Sequence, residues 1–308
     1  MEMQNQIKEY VALYESEVRK LADQLRNESM PQLTEELFSE FETNGNRMRY
    51  EAVYFGRRKF LSVLGLASVI WHGKEDIQKL EEVIREICAE ECWALPAHVR
   101  RKENPNWRGV IDLFASETGQ ALAHLTTLLK DELSEEVITL AQNEVKARIL
   151  KPFIESKVPY ASWEQATNNW NAVCCGNVGS AALLLMKEGT EKKKLLERLN
   201  YALENYYLEG FGMDGACQEG LGYWVYGFTY FILFALTQRE YDPSKDIQWD
   251  LPAAWQISTV IFVFQIHYMR KSLMETAVGD GLAFTGTGIG HIAIWTMYRI
   301  KRQKSQSL

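Results

Sequence analysis

Apolar residues recur at the spacing of an α-helix along almost the whole chain. They return every three or four residues, which places them on one face of each helix. The predicted helices are Ile7–Leu25, Phe60–Trp71, Ile77–Cys92, Leu113–Leu129, Ser134–Leu150, Asn177–Lys187, Glu191–Leu208, Gly222–Leu236 and Ala253–Met269. Strand-like alternation is scarce, and most Pro and Gly residues fall between these stretches. The pattern therefore predicts an all-α chain of roughly ten or more helices joined by loops.

Helices of similar length that alternate in direction favour an incomplete α/α toroid, a barrel of antiparallel helical hairpins with a cleft at one rim. Asp131 or Ser134 is expected to cap one helix and Thr190 a later one. A helical bundle or a superhelical array is the competing architecture, but the sequence has no repeat of fixed period. We expect a single domain over residues 1–308, with amino-terminal helices at 1–50, the toroid core at 51–300 and a polar tail at 301–308.

The segment Phe211–Tyr230, FGMDGACQEGLGYWVYGFTY, departs from the helical pattern because it holds five glycines among polar and aromatic side chains. Glycine costs about 1 kcal/mol in a helix interior relative to alanine, so a shaped loop is expected here. Aromatic faces stack on sugar rings and polar groups bond sugar hydroxyls, which is typical of a carbohydrate cleft. A capping loop followed by a core stripe of tyrosines is the other interpretation.

Composition and charge narrow the possible partners. A net charge of −7 at pH 7 argues against nucleic-acid binding but permits an acidic polysaccharide, because only the cleft has to be basic. The longest apolar runs, such as Trp255–Tyr268, are too short and too polar to span a membrane. The amino terminus has no apolar signal region, and the five cysteines suit reduced thiols, so a cytoplasmic protein is predicted.

Two pairs of cysteines lie close enough in sequence to be compared with metal-binding motifs: Cys88 with Cys92, and Cys174 with Cys175. Neither pair is followed by a second Cys or His pair at the spacing of a zinc site. We therefore interpret all four as core thiols and predict neither a metal nor a cofactor.

Four segments together resemble the heparinase II/III-like family of polysaccharide lyases. They are Cys92–Arg100 (CWALPAHVR) with Gly109–Ala123, then Ser162–Leu183 (SWEQATNNWNAVCCGNVGSAAL), Phe211–Tyr230 and Glu275–Asp280 (ETAVGD). Their order and spacing fit the family from about residue 50 almost to the end of the chain. The resemblance covers that family's amino-terminal α/α toroid. It implies that a carboxy-terminal β-domain, or a partner chain, would complete the cleft.

The resemblance implies β-elimination on a 4-O-linked uronic acid within an acidic glycan. The carboxylate beside the weakly acidic C5 proton must be neutralised, a base must remove that proton, and an acid must protonate the leaving oxygen. Asn168 and Asn169 match the family's NNW motif, which neutralises the carboxylate, although one of them is also expected to cap a helix. Tyr226 matches the catalytic tyrosine, and Tyr223 and Tyr230 share its helical face.

The remaining candidates suit the binding of sugar rings, hydroxyls or negative charge. They are His98, Arg100, Trp170, Gln218, Glu219, Tyr223, Trp224 and Tyr230. For the aromatic residues among them, burial in the core is the structural alternative. His124, within an apolar stretch, is instead predicted to be a core or helix-surface histidine, and His72 to end a helix.

The chain departs from the family at one position of the second motif. Many relatives have a histidine immediately after the Asn, where this chain has Trp170 or Asn171. A further histidine comes from the family's β-domain. Two alternatives to a lyase therefore stay open: a carbohydrate-binding module or inactive fragment without catalysis, and a glycoside hydrolase that uses Asp214 and Glu219 as its carboxylate pair.

Overall fold

The computed structural model describes residues 15–212 and 216–242, and helices account for most of them. The helices are α1 (residues 15–26), α2 (Glu35–Asn44), α3 (Met48–Trp71), α4 (Lys74–Cys88), α5 (Leu113–Leu128), α6 (Glu135–Val145), α7 (Lys151–Glu155), α8 (Asn169–Leu185), α9 (Thr190–Ala202) and α10 (Leu221–Tyr241). Within these ranges the only β contact is an isolated bridge between Phe211 and Cys217. The predicted all-α class is confirmed. Asp214, the helix Ala253–Met269 and the segment Glu275–Asp280 lie outside the described residues.

Two helices begin well before the sequence pattern predicts them. Helix α3 starts at Met48 rather than Phe60, and α8 starts at Asn169 rather than Asn177. Both early turns bury polar side chains, including Arg57 in α3, so the apolar spacing that signals a helix is missing there. A helical segment in which polar residues occupy buried positions gives a weak apolar periodicity, and its start is easily missed.

One predicted cap is wrong. The N-cap of α9 is Gly189, and Thr190 is the first helical residue, so the Thr190 hydroxyl does not cap the helix. Ser134 does occupy the N-cap position of α6, although its side chain makes no capping hydrogen bond. Glu135 and Glu136 follow in the first turn of α6, where their charge complements the helix dipole.

Four helices, α3, α5, α8 and α10, run in the same direction side by side. The contacts that align them are Arg58 with Thr118 and Gly65 with Leu125 between α3 and α5, Ser116 with Asn177 between α5 and α8, and Gly176 with Tyr230 and Gly179 with Phe234 between α8 and α10. Residue numbers rise together between α3 and α5 and between α8 and α10, so the helices of each pair are parallel. Helices α5 and α8 also begin side by side, since the Trp163 indole just before α8 donates to the Ile111 carbonyl just before α5. They form an inner layer, and their amino-terminal ends lie at one edge of it.

The helices between these four return in the opposite direction and form an outer layer. They are α4, the run of α6 and α7, and α9, and they are joined by polar contacts such as Arg85 with Glu136 at 2.8 Å. Two of them pass into a single π-helical turn, Lys146–Leu150 after α6 and Leu203–Tyr207 after α9. The described part of the chain is therefore a series of hairpins, each with an inner and an outer helix.

A buried ion-pair network ties the layers together beneath the loop that follows α4. The guanidinium of Arg58 donates to both oxygens of Glu90, at 2.8 and 2.7 Å, and to the Thr118 hydroxyl on α5 at 2.9 Å. Arg57 donates to Glu90 from Nε at 2.6 Å and to the Pro31 carbonyl at 2.8 Å. Arg57, Arg58 and Glu90 are all buried, so each charge depends on these partners.

The core between the layers is apolar and continuous. Aromatic side chains bring their polar atoms to backbone partners within it: the Tyr54 hydroxyl donates to the Trp93 carbonyl at 2.7 Å, and the Trp163 indole donates to the Ile111 carbonyl at 2.9 Å. In the part of the chain that the structure describes, no helix combines the length and the apolar character needed to cross a bilayer.

Candidate functional site

The amino-terminal ends of α5, α8 and α10 lie together at one rim of the inner layer, because these three helices are parallel neighbours. Each end is preceded by a loop, residues 89–112, 156–168 and 208–220 respectively. Free backbone N–H groups at helix amino termini carry partial positive charge, so this rim favours anions. Most of the side chains predicted to form the site lie on these loops or on the first helical turns.

Asn168 acts as the N-cap of α8. Its backbone is extended, and its side-chain oxygen accepts a hydrogen bond from the Trp170 backbone N–H at 3.1 Å. One of the two asparagines was expected to cap the helix, and the structure assigns that role to Asn168. Asn169 is the first residue of α8, and its side chain is not used as the cap.

Asn169 holds the carboxylate of Glu219 with two donors. Its backbone N–H donates to Oε2 of Glu219 at 2.6 Å, and its side-chain Nδ2 donates to Oε1 at 2.6 Å. The pair joins the first turn of α8 to the loop before α10. Two parallel hydrogen bonds at a helix amino terminus are a strong arrangement for a carboxylate.

Helix α10 approaches Asn169 closely because residue 227 is glycine. A Cβ atom on Gly227 would lie 2.9 Å from the Tyr207 hydroxyl and 3.0 Å from the Asn169 Cα. Burial raises the pKa of Tyr207 well above its usual value, and the neighbouring Cys217 and Glu219 raise it further. Neither the Tyr207 hydroxyl nor Oδ1 of Asn169 has a hydrogen-bond partner among the described residues. Two buried polar atoms therefore remain beside the Glu219 carboxylate.

Tyr226 and Tyr230, one turn apart on α10, both bond to a buried carboxylate on α5. The Tyr226 hydroxyl donates to Oε1 of Glu117 at 2.7 Å, and the Tyr230 hydroxyl donates to the same oxygen at 2.6 Å. Burial raises the pKa of each phenol well above its usual value, and the negative charge of Glu117 raises it further. Both phenols are therefore protonated at neutral pH, a state that suits an acid and not a base.

His98 lies in a single 3-10 turn, Pro96–His98, against the beginning of α5. Its Nδ1 is 2.6 Å from Oδ2 of Asp112, the N-cap residue of α5. The imidazole stacks on Phe114 and presents its edge to the ring of Trp170, with ring centroids 4.8 Å apart. The structure thus brings together His98 and Trp170, two residues that the sequence analysis selected from separate motifs.

Three further candidates lie at the surface. Arg100 is exposed and pairs with Glu103 at 3.3 Å, Gln218 is exposed on the loop before α10, and Tyr223 is 44% exposed on the first turn of that helix. Two more candidates are buried. Trp224 is 8% exposed and stacks on Phe228, and Tyr230 lies beneath Glu117. Among the aromatic candidates, Trp170, Tyr223 and Tyr226 are the ones that remain partly exposed.

The sequence analysis missed Asp112, Glu117 and Tyr207, each of which contacts or adjoins a predicted site residue. The sequence does single out Glu117, since it is the only Asp, Glu, Lys or Arg in α5. Asp112 also had one, because it directly precedes the apolar run as an N-cap does. No sequence feature singles out Tyr207, because its position depends on the π-helical turn that ends at this residue.

The cysteines are core thiols, as their spacing predicted. Cys88, Cys92, Cys174 and Cys175 are buried, and burial raises the thiol pKa of Cys88 and of Cys92 to about 12. Such thiols are protonated and inert at neutral pH. Over residues 15–212 and 216–242, no group of three or more His, Cys, Asp or Glu side chains is placed to hold a metal ion.

The rim thus combines a helix end that holds a carboxylate, two phenols on a buried glutamate, and a histidine paired with an aspartate. These three groups come from α5, α8, α10 and the loops before them. The sequence matches no protein-family model and no curated protein.

Proposed function

We propose that this chain is the α/α-toroid domain of a heparinase II/III-like polysaccharide lyase, which cleaves uronate-containing acidic glycans by β-elimination. One observation carries the proposal: Asn169 holds the carboxylate of Glu219 with a backbone and a side-chain donor at the amino terminus of α8. A uronate carboxylate has the same charge and shape. It takes the place of Glu219 on these donors when the glycan binds.

The same donors supply the electrostatic part of the reaction. Hydrogen bonds from Asn169, together with the positive end of the α8 dipole, withdraw negative charge from the uronate carboxylate. The C5 proton becomes more acidic, because the negative charge that develops as it leaves is shared with these groups. No metal ion is required by this arrangement.

Tyr226 supplies the acid. Because its pKa is raised by burial and by Glu117, its hydroxyl keeps the proton that the leaving sugar oxygen needs. Glu117 fixes the phenol until the leaving group accepts that proton. Trp170 and Tyr223 offer ring faces to the sugars, and Arg100 offers positive charge to an anionic polymer.

A second candidate function, glycan binding without cleavage, is favoured by one observation. The hydroxyl proton of Tyr226 is donated to Glu117, so the proposed acid already has an internal partner. A binding module would retain this contact when the glycan binds. The hydrolase alternative has no such support, because Glu219 lies against Asn169 and Asp214 lies outside the described residues.

The test is incubation with heparan sulfate, chondroitin sulfate, alginate and pectate while the ultraviolet absorbance of a 4,5-unsaturated uronate is followed. We expect absorbance to rise with at least one glycan, and the rate to fall by roughly 100-fold or more in Tyr226→Phe and in Asn169→Ala. Tyr201→Phe, at an exposed tyrosine of α9, is the matched control and should retain the wild-type rate.

The other outcomes separate the alternatives. Binding to a glycan without any absorbance rise would establish the binding module. New reducing ends without that absorbance would establish hydrolysis. The proposal would be overturned if the protein neither binds nor cleaves any uronate glycan.

A further inference from the structure

We propose that His98 is the base that removes the C5 proton and that Asp112 is the residue that positions it. The inference rests on the proposed function, because it assigns the base for the same elimination reaction. It is carried by the geometry of the pair and by the open side of the imidazole ring.

Asp112 fixes which nitrogen of His98 carries a proton. Its carboxylate is 1% exposed and is surrounded by donors: Oδ1 accepts from the Ala115 backbone N–H at 2.7 Å, and Oδ2 accepts from the Leu95 backbone N–H at 3.0 Å. Oδ2 also lies 2.6 Å from Nδ1 of His98. A carboxylate only accepts hydrogen bonds, so Nδ1 is the donor. In the neutral ring the lone pair is therefore on Nε2.

The Nε2 side of the ring remains available. The His98 side chain is 16% exposed, and Nε2 has no hydrogen bond to any residue in the described ranges. Phe114 supports one face of the ring, with near-parallel planes 8° apart, and Trp170 packs against it at 71°. Carboxylate and aromatic contacts together hold the ring in one orientation, as a base aimed at a single C–H bond requires.

His98 also lies at the start of α8, against the residue that follows the proposed carboxylate position in the chain. It contacts Trp170, and the next residue towards the amino terminus of α8 is Asn169, which holds Glu219. In a uronic acid the C5 atom carries both the carboxylate and the proton to be removed. A base beside Asn169 is therefore required, and His98 is an imidazole at that location.

The other titratable groups facing this rim do not suit the role. Tyr226 and Tyr230 are protonated and donate to Glu117, and Glu117 is buried beneath both phenols. Glu219 is held by Asn169 and is displaced when the uronate binds. Burial raises the pKa of Cys174 well above its usual value, and nearby Asp112 raises it further, so this thiol is also protonated.

The step balances as a simple elimination. The Nε2 lone pair of His98 takes the C5 proton, and the C5–H electron pair forms the C4=C5 double bond. The C4–O bond breaks, and the leaving oxygen takes the proton of Tyr226. The imidazolium is stabilised by Asp112 and afterwards loses its proton to solvent, while Tyr226 regains one, so neither oxidant nor reductant is needed.

The experiment compares His98→Ala, His98→Gln and Asp112→Asn on the glycan that the wild-type protein cleaves. We expect both His98 variants to lower kcat by roughly 100-fold or more, with glycan affinity within about threefold of wild type. His72→Ala, at the carboxyl end of α3, is the matched control and should keep full kcat. Circular dichroism and thermal unfolding establish that each variant is folded.

Asp112→Asn also changes the tautomer of His98, a property that a purely structural role for Asp112 would leave unchanged. An Asn amide can donate to Nδ1, which places the ring proton on Nε2, and nitrogen NMR of labelled histidine distinguishes the two tautomers. We expect the wild-type ring to carry its proton on Nδ1 and the variant on Nε2, with kcat lowered in parallel. A wild-type proton on Nε2, or full kcat in folded His98→Ala, would overturn the inference.

Failure of the inference differs from failure of the proposed function. If wild-type protein forms no unsaturated product from any uronate glycan, the proposed function fails and the base role fails with it. If product forms and the His98 variants retain kcat, only the assignment of His98 fails.

Discussion

At the residue scale, the proposed function makes Glu219 a competitor of the substrate, because a bound uronate would have to displace it from Asn169. Glu219→Gln removes the negative charge and weakens this internal contact. A hydrogen bond to a charged group contributes about 1.5 kcal/mol, so we expect uronate oligosaccharides to bind roughly tenfold more tightly to the variant. Isothermal titration calorimetry measures the change, and Glu209→Gln, at an exposed position of the same loop, is the control.

The opposite result would also be informative. If Glu219→Gln binds the glycan more weakly than wild type while Glu209→Gln does not, then Glu219 contacts the sugar directly. That outcome would contradict the competition described here and restore the substrate-binding role that the sequence predicts for Glu219.

His124 makes stability depend on pH. Burial lowers its pKa to about 4, from about 6.5 in an unfolded chain. Below pH 6.5 the unfolded state therefore binds more protons than the folded state. The stability that the buried neutral His124 allows is fully present above pH 6.5 and is lost as the pH falls towards 4. At pH 5 the loss is about 2 kcal/mol. Urea unfolding at pH 7 and pH 5 should show a smaller decrease in His124→Gln than in wild type.

The His124 prediction has a clear contrary outcome. Equal decreases in wild type and in His124→Gln would mean that this histidine is charged in the folded protein. The same measurement on His72→Gln provides a control, because His72 is partly exposed at the end of α3.

Sequence predicted which side chains gather at the rim better than it predicted the partners of those side chains. His98, Asn169, Trp170, Glu219 and Tyr226 were selected from residue type and motif, and they lie at one rim. Their pairings depend on which helices become neighbours, and no local pattern specifies that. Thus Glu219 was selected as a sugar-binding residue, but nothing in its local sequence indicates that it bonds an asparagine 50 residues away in the chain.

At the scale of elements, the closeness of α8 and α10 depends on glycines that face the neighbouring helix. A Cβ atom on Gly176 would lie 2.9 Å from the backbone carbonyl oxygen of Tyr230, which cannot rotate away. We expect Gly176→Ala to destabilise the protein by about 1–3 kcal/mol, because the helices must separate. Chemical unfolding measures this change. Gly222→Ala on α10 is the control, because its Cβ meets nothing within 4 Å.

The two substitutions should therefore change the free energy of unfolding in opposite directions, or only Gly176→Ala should change it. Alanine is the better helix former, so Gly222→Ala should be neutral or should stabilise by up to about 1 kcal/mol. A Gly176→Ala protein that is as stable as wild type would show that the helices do not pack as closely as described.

Helix existence was predictable from sequence, whereas helix starts were not. Apolar spacing identified α5 almost to the residue, because apolar residues recur from its first residue, Leu113, to its last, Leu128. The same spacing missed the first turns of α3 and α8, where Arg57, Arg58 and Asn169 are buried with partners. Those partners come from distant segments of the chain. The local sequence therefore does not show that these buried polar groups are hydrogen-bonded.

At the scale of the whole molecule, the network of Arg57, Arg58 and Glu90 joins α3, α5 and the loop after α4. Glu90→Gln leaves the buried Arg58 guanidinium without a counter-charge and leaves Arg57 with only the exposed Glu86, at 3.8 Å. We expect a loss of about 3–5 kcal/mol in the free energy of unfolding. Glu103→Gln removes an exposed partner of Arg100 and should change stability by less than about 1 kcal/mol. Denaturant unfolding of both variants makes the comparison.

A small loss in Glu90→Gln would mean that water reaches the two guanidinium groups. In that case the region beneath the loop after α4 is open, and its charges contribute little to holding the layers together. The layered arrangement itself was expected from alternating helices of similar length, but the order of neighbours within each layer depends on contacts that only the structure provides.

The π-helical turn Leu203–Tyr207 suggests how the rim gained one of its polar groups. A π turn holds one residue more than an α turn, so it corresponds to a single inserted residue. If the same five residues were wound as an α-helix, this side chain would lie about 100° further around the helix axis. Its hydroxyl would then leave the neighbourhood of Asn169. In this part of the molecule the winding of the helix, rather than a change in residue type, places a phenol near the Glu219 carboxylate.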